Sequence, residues 1–145
     1  MKNRTVNLIA DIVLLLLSAV LFVGLLTFFA PCAAKEDGSY MACHWAGNAA
    51  AGVAAVLTVI SLVNLIIRKT DIKKGLLISI IPVSTLGVFI HNGLIKTCMM
   101  ESMQCNAVTK PACTFISAVI LIISAVYLVY IVVKDKKGKK EEKKK

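Results

Sequence analysis

Residues 46–67 read AGNAAAGVAAVLTVISLVNLII, a run of 22 residues without a charged side chain. A helix needs roughly 20 mostly apolar residues to cross the hydrocarbon core of a bilayer. Three further runs meet this requirement, at residues 6–30, 75–95 and 113–133. They lack the alternating pattern and the roughly 10-residue length of membrane barrel strands. The sequence therefore predicts an all-α polytopic membrane protein, with a four-helix transmembrane domain over residues 1–133.

Basic residues are distributed unevenly around these runs. Three of the 17 Lys and Arg residues, Lys35, Lys96 and Lys110, lie in the segments 31–45 and 96–112. The other 14 lie on the side of the two termini: Lys2, Arg4, Arg68, Lys69, Lys73, Lys74 and eight lysines between positions 134 and 145. Because cytoplasmic flanks retain Lys and Arg, we expect both termini in the cytoplasm and segments 31–45 and 96–112 outside it. The net charge of +9 is then a topology signal and does not indicate nucleic acid binding.

The last twelve residues, 134–145, read KDKKGKKEEKKK. A block this polar cannot bury a core, so we expect a disordered basic cytoplasmic tail. Such a tail anchors the last helix, and it is also able to contact anionic lipid or an acidic partner surface.

The second half of the chain resembles the first after a shift of 66 residues. This shift aligns Cys32 with Cys98, and LVNLIIRK (62–69) with LVYIVVKD (128–135). A Met-x-Cys element at 41–43 has a counterpart at 103–105, which lies four residues before the position that the shift of 66 gives. These matches predict a duplicated helical hairpin, whose copies are related by a pseudo-twofold axis along the membrane normal.

Small residues dominate the first half of the run 46–67. Four of them follow the spacing at which helices in lipid approach closely: Gly47, Ala50, Ala51 and Ala54. They predict either the packing seam of the bundle or a docking surface for another protein. Asp11 is the ionisable residue of the first run, about one turn from its start. We expect Asp11 to reach the cytoplasmic interface by snorkelling, in preference to a role in proton relay.

The five cysteines lie in or beside the two outer segments. Thiols outside the cytoplasm tend to oxidise, and segments this short are able to close a structural disulfide. The simplest pairing joins Cys32 to Cys43 and Cys98 to Cys105. Cys113, at the start of the last run, is then the free thiol.

The same segments also contain soft metal ligands, and these are Met41, Cys43, His44, Met103, Cys105 and His91. Thioether, thiolate and imidazole groups favour copper(I), so copper binding is an alternative to disulfides, which would consume the thiolates. Haem is a second possible cofactor, with His44 the best single ligand candidate. The haem attachment motif C-x-x-C-H is absent, since Cys32 lies eleven residues before Cys43. The primary prediction includes no cofactor.

An enzymatic alternative follows from the general plan of the chain. Four helices with a cysteine pair in each outer segment is also the architecture of quinone-linked thiol-disulfide oxidoreductases of the DsbB type. Those enzymes use a reactive C-x-x-C pair, which this sequence lacks in its outer segments. Phosphate-binding glycine loops and Ser/His/Asp signatures are likewise missing from the sequence.

The strings FAPCAAKEDGSYMACHWAGNAAAG (29–52) and KTCMMESMQC (96–105) resemble a family of bacterial membrane proteins, domain of unknown function number 4418. The resemblance covers nearly everything but the lysine tail. It implies four helices in a bacterial plasma membrane, and association with an ABC transporter that has an FtsX/MacB-like permease. It carries over no catalytic residues. Together with the pattern above, it predicts a non-enzymatic accessory or scaffold subunit, bound to such a permease or to further copies of itself.

Overall fold

The described residues form four long helices and two short π-helical turns. The structure is a computed structural model that describes residues 2–28, 40, 42–67, 69–95 and 105–142, with the backbone alone at residues 2–4, 91, 105 and 137–142. Helix α1 is Lys2–Leu26, α2 is Ala42–Ile66, α3 is Thr70–Phe89 and α4 is Lys110–Glu142. A π-helical turn, Ile90–Leu94, follows α3, and a second one, Cys105–Thr109, leads into α4.

Each helix contains a span that is long and apolar enough to cross a bilayer. The spans are Thr5–Leu26, Ala42–Ile66, Thr70–Phe89 and Asn106–Lys136. The prediction of an all-α chain with four such helices is confirmed. The bounds differ from those expected, since α1 ends before residue 30 and α2 begins before residue 46. Helix α4 also continues past its apolar run into the basic segment 134–145, where Lys and Glu are themselves good helix formers.

The helices form an antiparallel bundle. Helix α1 packs on α2, α2 on α3, α3 on α4 and α4 on α1, and the α1–α2 and α3–α4 contacts are the most extensive. Helices α1 and α3 therefore lie at opposite corners of the bundle, as do α2 and α4. We call the end with the first turns of α1 and α3 and the last turns of α2 and α4 the terminal end. The opposite end is the loop end.

Two apolar clusters fill the interior. The cluster nearer the terminal end contains Leu14, Leu57, Leu77, Ile80, Ile120, Tyr127 and Ile131. The cluster nearer the loop end contains Leu21, Leu25, Ala46, Ala50, Ala54, Ile90 and Cys113. Large apolar side chains also cover the outer surface of every helix, among them Leu16, Val59, Ile78 and Ile122. An exterior of this kind is suited to contact with lipid, because a bundle in water would bury such residues.

Several hydroxyl groups in the interior bond to the helix that carries them. Ser18 donates to the carbonyl of Leu15 (3.0 Å), and Ser124 donates to that of Leu121 (3.0 Å). Thr58, Ser84 and Thr85 donate in the same way to carbonyls one turn earlier. These bonds satisfy the hydroxyls without joining one helix to another.

A glycine allows α3 and α4 to approach closely. A Cβ atom at Gly87 would lie 2.8 Å from Oγ of Ser117 on α4, and 3.6 Å from Cγ1 of Val53 on α2. The first distance is shorter than a carbon–oxygen contact tolerates, so a side chain at this position would require the hydroxyl of Ser117 to move. Gly52 is exposed on α2, and a Cβ atom at this position would have no neighbouring atom within 4 Å.

Candidate functional site: a polar cluster at the terminal end

Asp11 is buried in the interior of the bundle, near its terminal end. Its exposed fraction is 1 %, and its carboxylate forms an ion pair with Nζ of Lys73. The expectation that Asp11 snorkels to the membrane interface is therefore wrong. The side chain lies on the inward face of α1, where a partner on another helix compensates its charge.

The cluster around Asp11 contains one polar group from each helix. Nδ2 of Asn64, on α2, donates to Oδ1 of Asp11 at 2.8 Å, and Lys73, on α3, pairs with Oδ2. The hydroxyl of Tyr127, on α4, donates to the backbone carbonyl of Asn7 on α1 at 3.3 Å. We call these residues, Asn7, Asp11, Asn64, Lys73 and Tyr127, the polar cluster. Because hydrogen bonds between membrane helices fix their relative positions, the polar cluster ties all four helices at one level.

A second ion pair reinforces the terminal end. Lys74, next to Lys73 on α3, pairs with Asp135 on α4 and with Asp71 one turn earlier on its own helix (3.1 Å). The first turn of α3 is thus bound to carboxylates of both α1 and α4. Asp71 is largely exposed, so its pair with Lys74 contributes little, whereas the pair with Asp135 is partly shielded from water.

A cavity of about 310 Å³ lies directly beside the polar cluster. All four helices contribute to its wall, which consists of Asn7, Leu8, Asp11, Leu65, Thr70, Lys73 and Ile131. The wall combines an amide, a carboxylate, an ammonium and a hydroxyl group with three apolar side chains. Its volume is at the lower limit of small-molecule sites, roughly 300 to 1,000 Å³.

Two amide oxygens of the polar cluster lack a hydrogen-bond donor. Oδ1 of Asn7 and Oδ1 of Asn64 are both buried, and neither has a partner among the described residues. Asn64 as a whole is 0 % exposed. A buried acceptor without a donor costs about 1 to 3 kcal/mol. The polar cluster therefore has two buried acceptors, of Asn7 and Asn64, that no described group satisfies.

The loop end carries an aromatic group at the start of α2. The rings of Tyr40 and His44 stack with centroids 4.2 Å apart, and Trp45 meets His44 edge to face at 5.9 Å. Nε2 of His44 lies 3.1 Å from Nδ2 of Asn48. Side chains of this type are common where a helix leaves a bilayer. The contact with Asn48 engages Nε2, one of the two imidazole nitrogens through which a histidine is able to bind a metal ion.

The other residues predicted at the loop end are only partly placed. Cys43 and Cys113 are buried, with exposed fractions of 2 % and 1 %. The residues Cys32, Cys98, Met41 and Met103 lie outside the described part, as do the side chains of Cys105 and His91. The two expected disulfides and the soft-metal set therefore stay predictions. Within the described residues, no three His, Cys, Asp or Glu side chains come together as a metal site.

The small residues of α2 face the interior. Gly47, Ala50 and Ala54 are buried, and Ala51 is partly buried. Ala50 and Ala54 belong to the apolar cluster nearer the loop end, where they contact residues of other helices. The structure thus uses this face of α2 to pack the bundle.

Sequence reasoning singled out Asp11 and missed its partners. In the sequence, Lys73 is one of several positive charges that flank the apolar runs, and Asn7, Asn64 and Tyr127 lie in separate runs. One signal was present, because each of the four apolar runs has a polar residue at or near its terminal end. Polar residues at one membrane depth in several helices indicate a shared cluster.

The model of one protein family matches the chain. The family is described as a domain of unknown function, DUF4418, and the match covers residues 14–130. Since this is more than half of the sequence, the chain belongs to the DUF4418 family, as the resemblance in the loop segments indicated. No curated protein and no solved structure matches the chain.

Proposed function

We propose that this member of the DUF4418 family is a non-enzymatic accessory or scaffold subunit of a membrane assembly. The observation that carries the proposal is the polar cluster, in which Asp11 is satisfied by groups from within the bundle. Intramembrane charges that serve transport line a water-filled path or a broken helix. Here the charge of Asp11 is balanced by Lys73, and the pair lies at one end of the bundle.

The interior beyond the polar cluster supports the same proposal. Between the cluster and the loop end, the described interior is filled by the two apolar clusters. The hydroxyls of Ser18, Ser84 and Ser124, which are buried in this region, bond to carbonyls of their own helices. A bundle filled in this way is suited to hold a fixed shape and to present its surface to a partner.

The partner we propose is the permease of an ABC transporter of the FtsX/MacB-like kind. This part of the proposal rests on the family resemblance of the loop segments. The apolar outer faces of the helices provide a surface on which a permease helix is able to pack in lipid. A second copy of the chain is the other candidate for the same surface.

We propose in addition that both termini are cytoplasmic, that the cysteine-bearing segments are disulfide-linked on the extracytoplasmic side of the membrane, and that the chain is a duplicated hairpin. The burial pattern supports the duplication. Four buried residues of α1, Asp11, Leu14, Ser18 and Leu21, correspond after a shift of 66 to Leu77, Ile80, Ser84 and Gly87, which are buried in α3. Cys43, Gly47, Ala54 and Ser61 correspond in the same way to Thr109, Cys113, Ile120 and Tyr127, and all eight are buried. Ser18 and Ser84 even make equivalent hydrogen bonds, each of 3.0 Å, to Leu15 and Ile81.

Purification of the tagged chain in mild detergent tests the accessory role. At native expression level, we expect an ABC permease and its nucleotide-binding subunit to be recovered in a fixed ratio with the chain. An unrelated four-span protein with the same tag is the control for nonspecific recovery. Repeated isolation of the chain alone would contradict the role. Isolation of a complex that contains only copies of the chain would replace the permease with a homo-oligomer.

A further inference from the structure

We infer that two grooves on the outer surface of the bundle, one on α1 and one on α3, each bind an acyl chain of a phospholipid in the leaflet at the loop end. The inference goes beyond the accessory role, because the occupant is a lipid and no protein partner is required. Three observations carry it: the lining of the grooves, their length and depth, and the surface that surrounds them.

The first groove runs along the loop-end half of α1 and has a volume of about 380 Å³. Its lining consists of Leu16, Ala19, Val20, Val23, Gly24 and Phe28. The four larger side chains are exposed, with fractions from 53 % at Val23 to 79 % at Phe28. Ala19 is half-buried and Gly24 is buried. The large side chains therefore form the rim of the groove and the small residues form its floor.

Helix α3 carries a second groove, with a volume of about 470 Å³. Its lining consists of Pro82, Thr85, Leu86, Phe89, Gly93 and Leu94. Five of these positions follow lining positions of the first groove by 66 residues, namely 16/82, 19/85, 20/86, 23/89 and 28/94, and both members of each pair have the same degree of burial. Because α1 and α3 lie at opposite corners, two sides of the bundle offer a groove of the same shape.

The lining of both grooves is suited to hydrocarbon. Every residue that lines the α1 groove is apolar. In the α3 groove the hydroxyl of Thr85 already donates to the carbonyl of Ile81, at 2.8 Å. An occupant with polar groups would leave them without partners in a dry environment, which is costly. An acyl chain has no such groups to satisfy.

The length of each groove corresponds to one leaflet of a bilayer. Leu16 lies near the middle of the span Thr5–Leu26, and Phe28 lies just past its loop end. They are twelve residues apart, which is about 18 Å along a helix axis. The hydrocarbon core is about 30 Å thick, so one leaflet supplies about 15 Å. Pro82 and Leu94 have the same separation on α3. An acyl chain of the loop-end leaflet therefore matches both grooves in length.

A protein partner matches the grooves less well. A helix that crosses the bilayer contacts both leaflets, whereas neither lining includes a residue from the terminal half of its span. A stable protein interface buries at least about 1,000 Å², of which six side chains provide only a part. The grooves are also continuous with the lipid-facing exterior of their helices, to which Ile12 and Ile78 belong. A lipid from the surrounding leaflet is the occupant that this surface favours.

The test counts the phospholipids that the full chain retains. The chain is purified in mild detergent, supplied with phosphatidylglycerol and measured by native mass spectrometry while lipid is removed stepwise. We expect two lipids that dissociate later than the rest. Phosphatidylcholine with the same acyl chains should be retained equally, because the grooves contact the chain and not the head group. A derivative with chains about half as long should be lost earlier, since it buries less apolar surface.

Two substitutions fill the grooves one at a time. Ala19→Phe on α1 and Thr85→Phe on α3 are each expected to remove one of the two retained lipids, and the double variant is expected to remove both. Ala55→Phe is the matched control, at a half-buried alanine of α2 that lines neither groove, and it should leave the count unchanged. The lipid that each single variant keeps shows that its bundle is intact.

Three results would overturn the inference. A count of zero for the wild-type chain, or a count that Ala19→Phe and Thr85→Phe leave unchanged, would show that the grooves hold no lipid. Retention that depends on the head group and not on chain length would show that the acyl chain is not what is bound. Loss of a co-purified protein in the two variants, with the lipid count unchanged, would assign the grooves to a partner helix. The lipid count of the wild-type chain does not depend on recovery of a permease, so the two proposals fail separately.

Discussion

The carboxylate of Asp11 forms an ion pair with the ammonium of Lys73 across the centre of the bundle, from α1 to the helix at the opposite corner. Both residues are at least nine-tenths buried. A charge taken out of water is costly unless a partner and further hydrogen bonds compensate it. Asn64 provides such a bond to Asp11. These bonds fix the positions of α1, α2 and α3 relative to one another at the terminal end.

The hydrogen bond from Tyr127 on α4 to Asn7 on α1 is expected to contribute modestly to the stability of the bundle. Tyr127→Phe removes the donor to the carbonyl of Asn7 and should lower the free energy of unfolding by about 0.5 to 1.5 kcal/mol. Tyr130→Phe is the matched control, because Tyr130 is exposed and its hydroxyl accepts a hydrogen bond from Lys134 on its own helix. Thermal unfolding in detergent, followed by the fluorescence of Trp45, measures both. A larger effect at Tyr130 than at Tyr127 would contradict this assignment.

A side chain at Gly87 is expected to destabilise the bundle. Gly87→Ala places a methyl group 2.8 Å from Oγ of Ser117, and overpacking of this kind costs about 1 to 3 kcal/mol. Gly52→Ala adds the same methyl group on an open surface and should leave stability unchanged or raise it slightly. Ser117→Ala should partly rescue Gly87→Ala. If both glycine variants unfold at the same temperature, α3 and α4 are not as close as described.

The proposed disulfides make a definite prediction for thiol counts. If Cys32 pairs with Cys43 and Cys98 with Cys105, the unreduced chain exposes a single reactive thiol after denaturation, and Cys113→Ser removes it. Reductant should raise the count to the five cysteines of the sequence. In the folded chain Cys113 should react slowly, since it is 1 % exposed. Three or more thiols without reductant would exclude the paired arrangement, and their disappearance on addition of copper(I) would favour the metal alternative.

Orientation is tested by epitope tags in intact cells. Tags inserted at Lys35 and Lys110 should be labelled from outside, because we propose that both segments leave the membrane on that side. A tag after Lys145 is the control and should be labelled only in permeabilised cells. Labelling at one of the two positions without the other would contradict a chain with four spans.

The sequence predicted the four spans because their length and lack of charge are local properties. Residues 46–67, for example, form most of α2 without any tertiary information. The position of Asp11 could not be predicted in the same way. Snorkelling was inferred from the depth of Asp11 in its own helix, whereas its burial depends on the face of α1 that meets Lys73. That face is fixed only when the four helices pack together.

The small residues of α2 illustrate the same limit. The spacing of Gly47, Ala50 and Ala54 predicted a surface of close approach, but it did not indicate whether the neighbour belongs to the same chain. Packing within the bundle places Ala50 and Ala54 against the cluster that includes Leu21 and Leu25 of α1. Sequence pattern identifies such a surface, and tertiary structure identifies what covers it.

The coupling between Asp11 and Lys73 is best measured by a double-mutant cycle on unfolding in detergent. Asp11→Asn and Lys73→Met each leave an uncompensated buried group and should cost about 3 to 5 kcal/mol, whereas the double variant should cost much less than their sum. Lys69→Met, at an exposed lysine, is the control and should be neutral. A coupling energy of at least about 1 kcal/mol would support a bundle fixed by this pair. Additive losses from the two changes would contradict it.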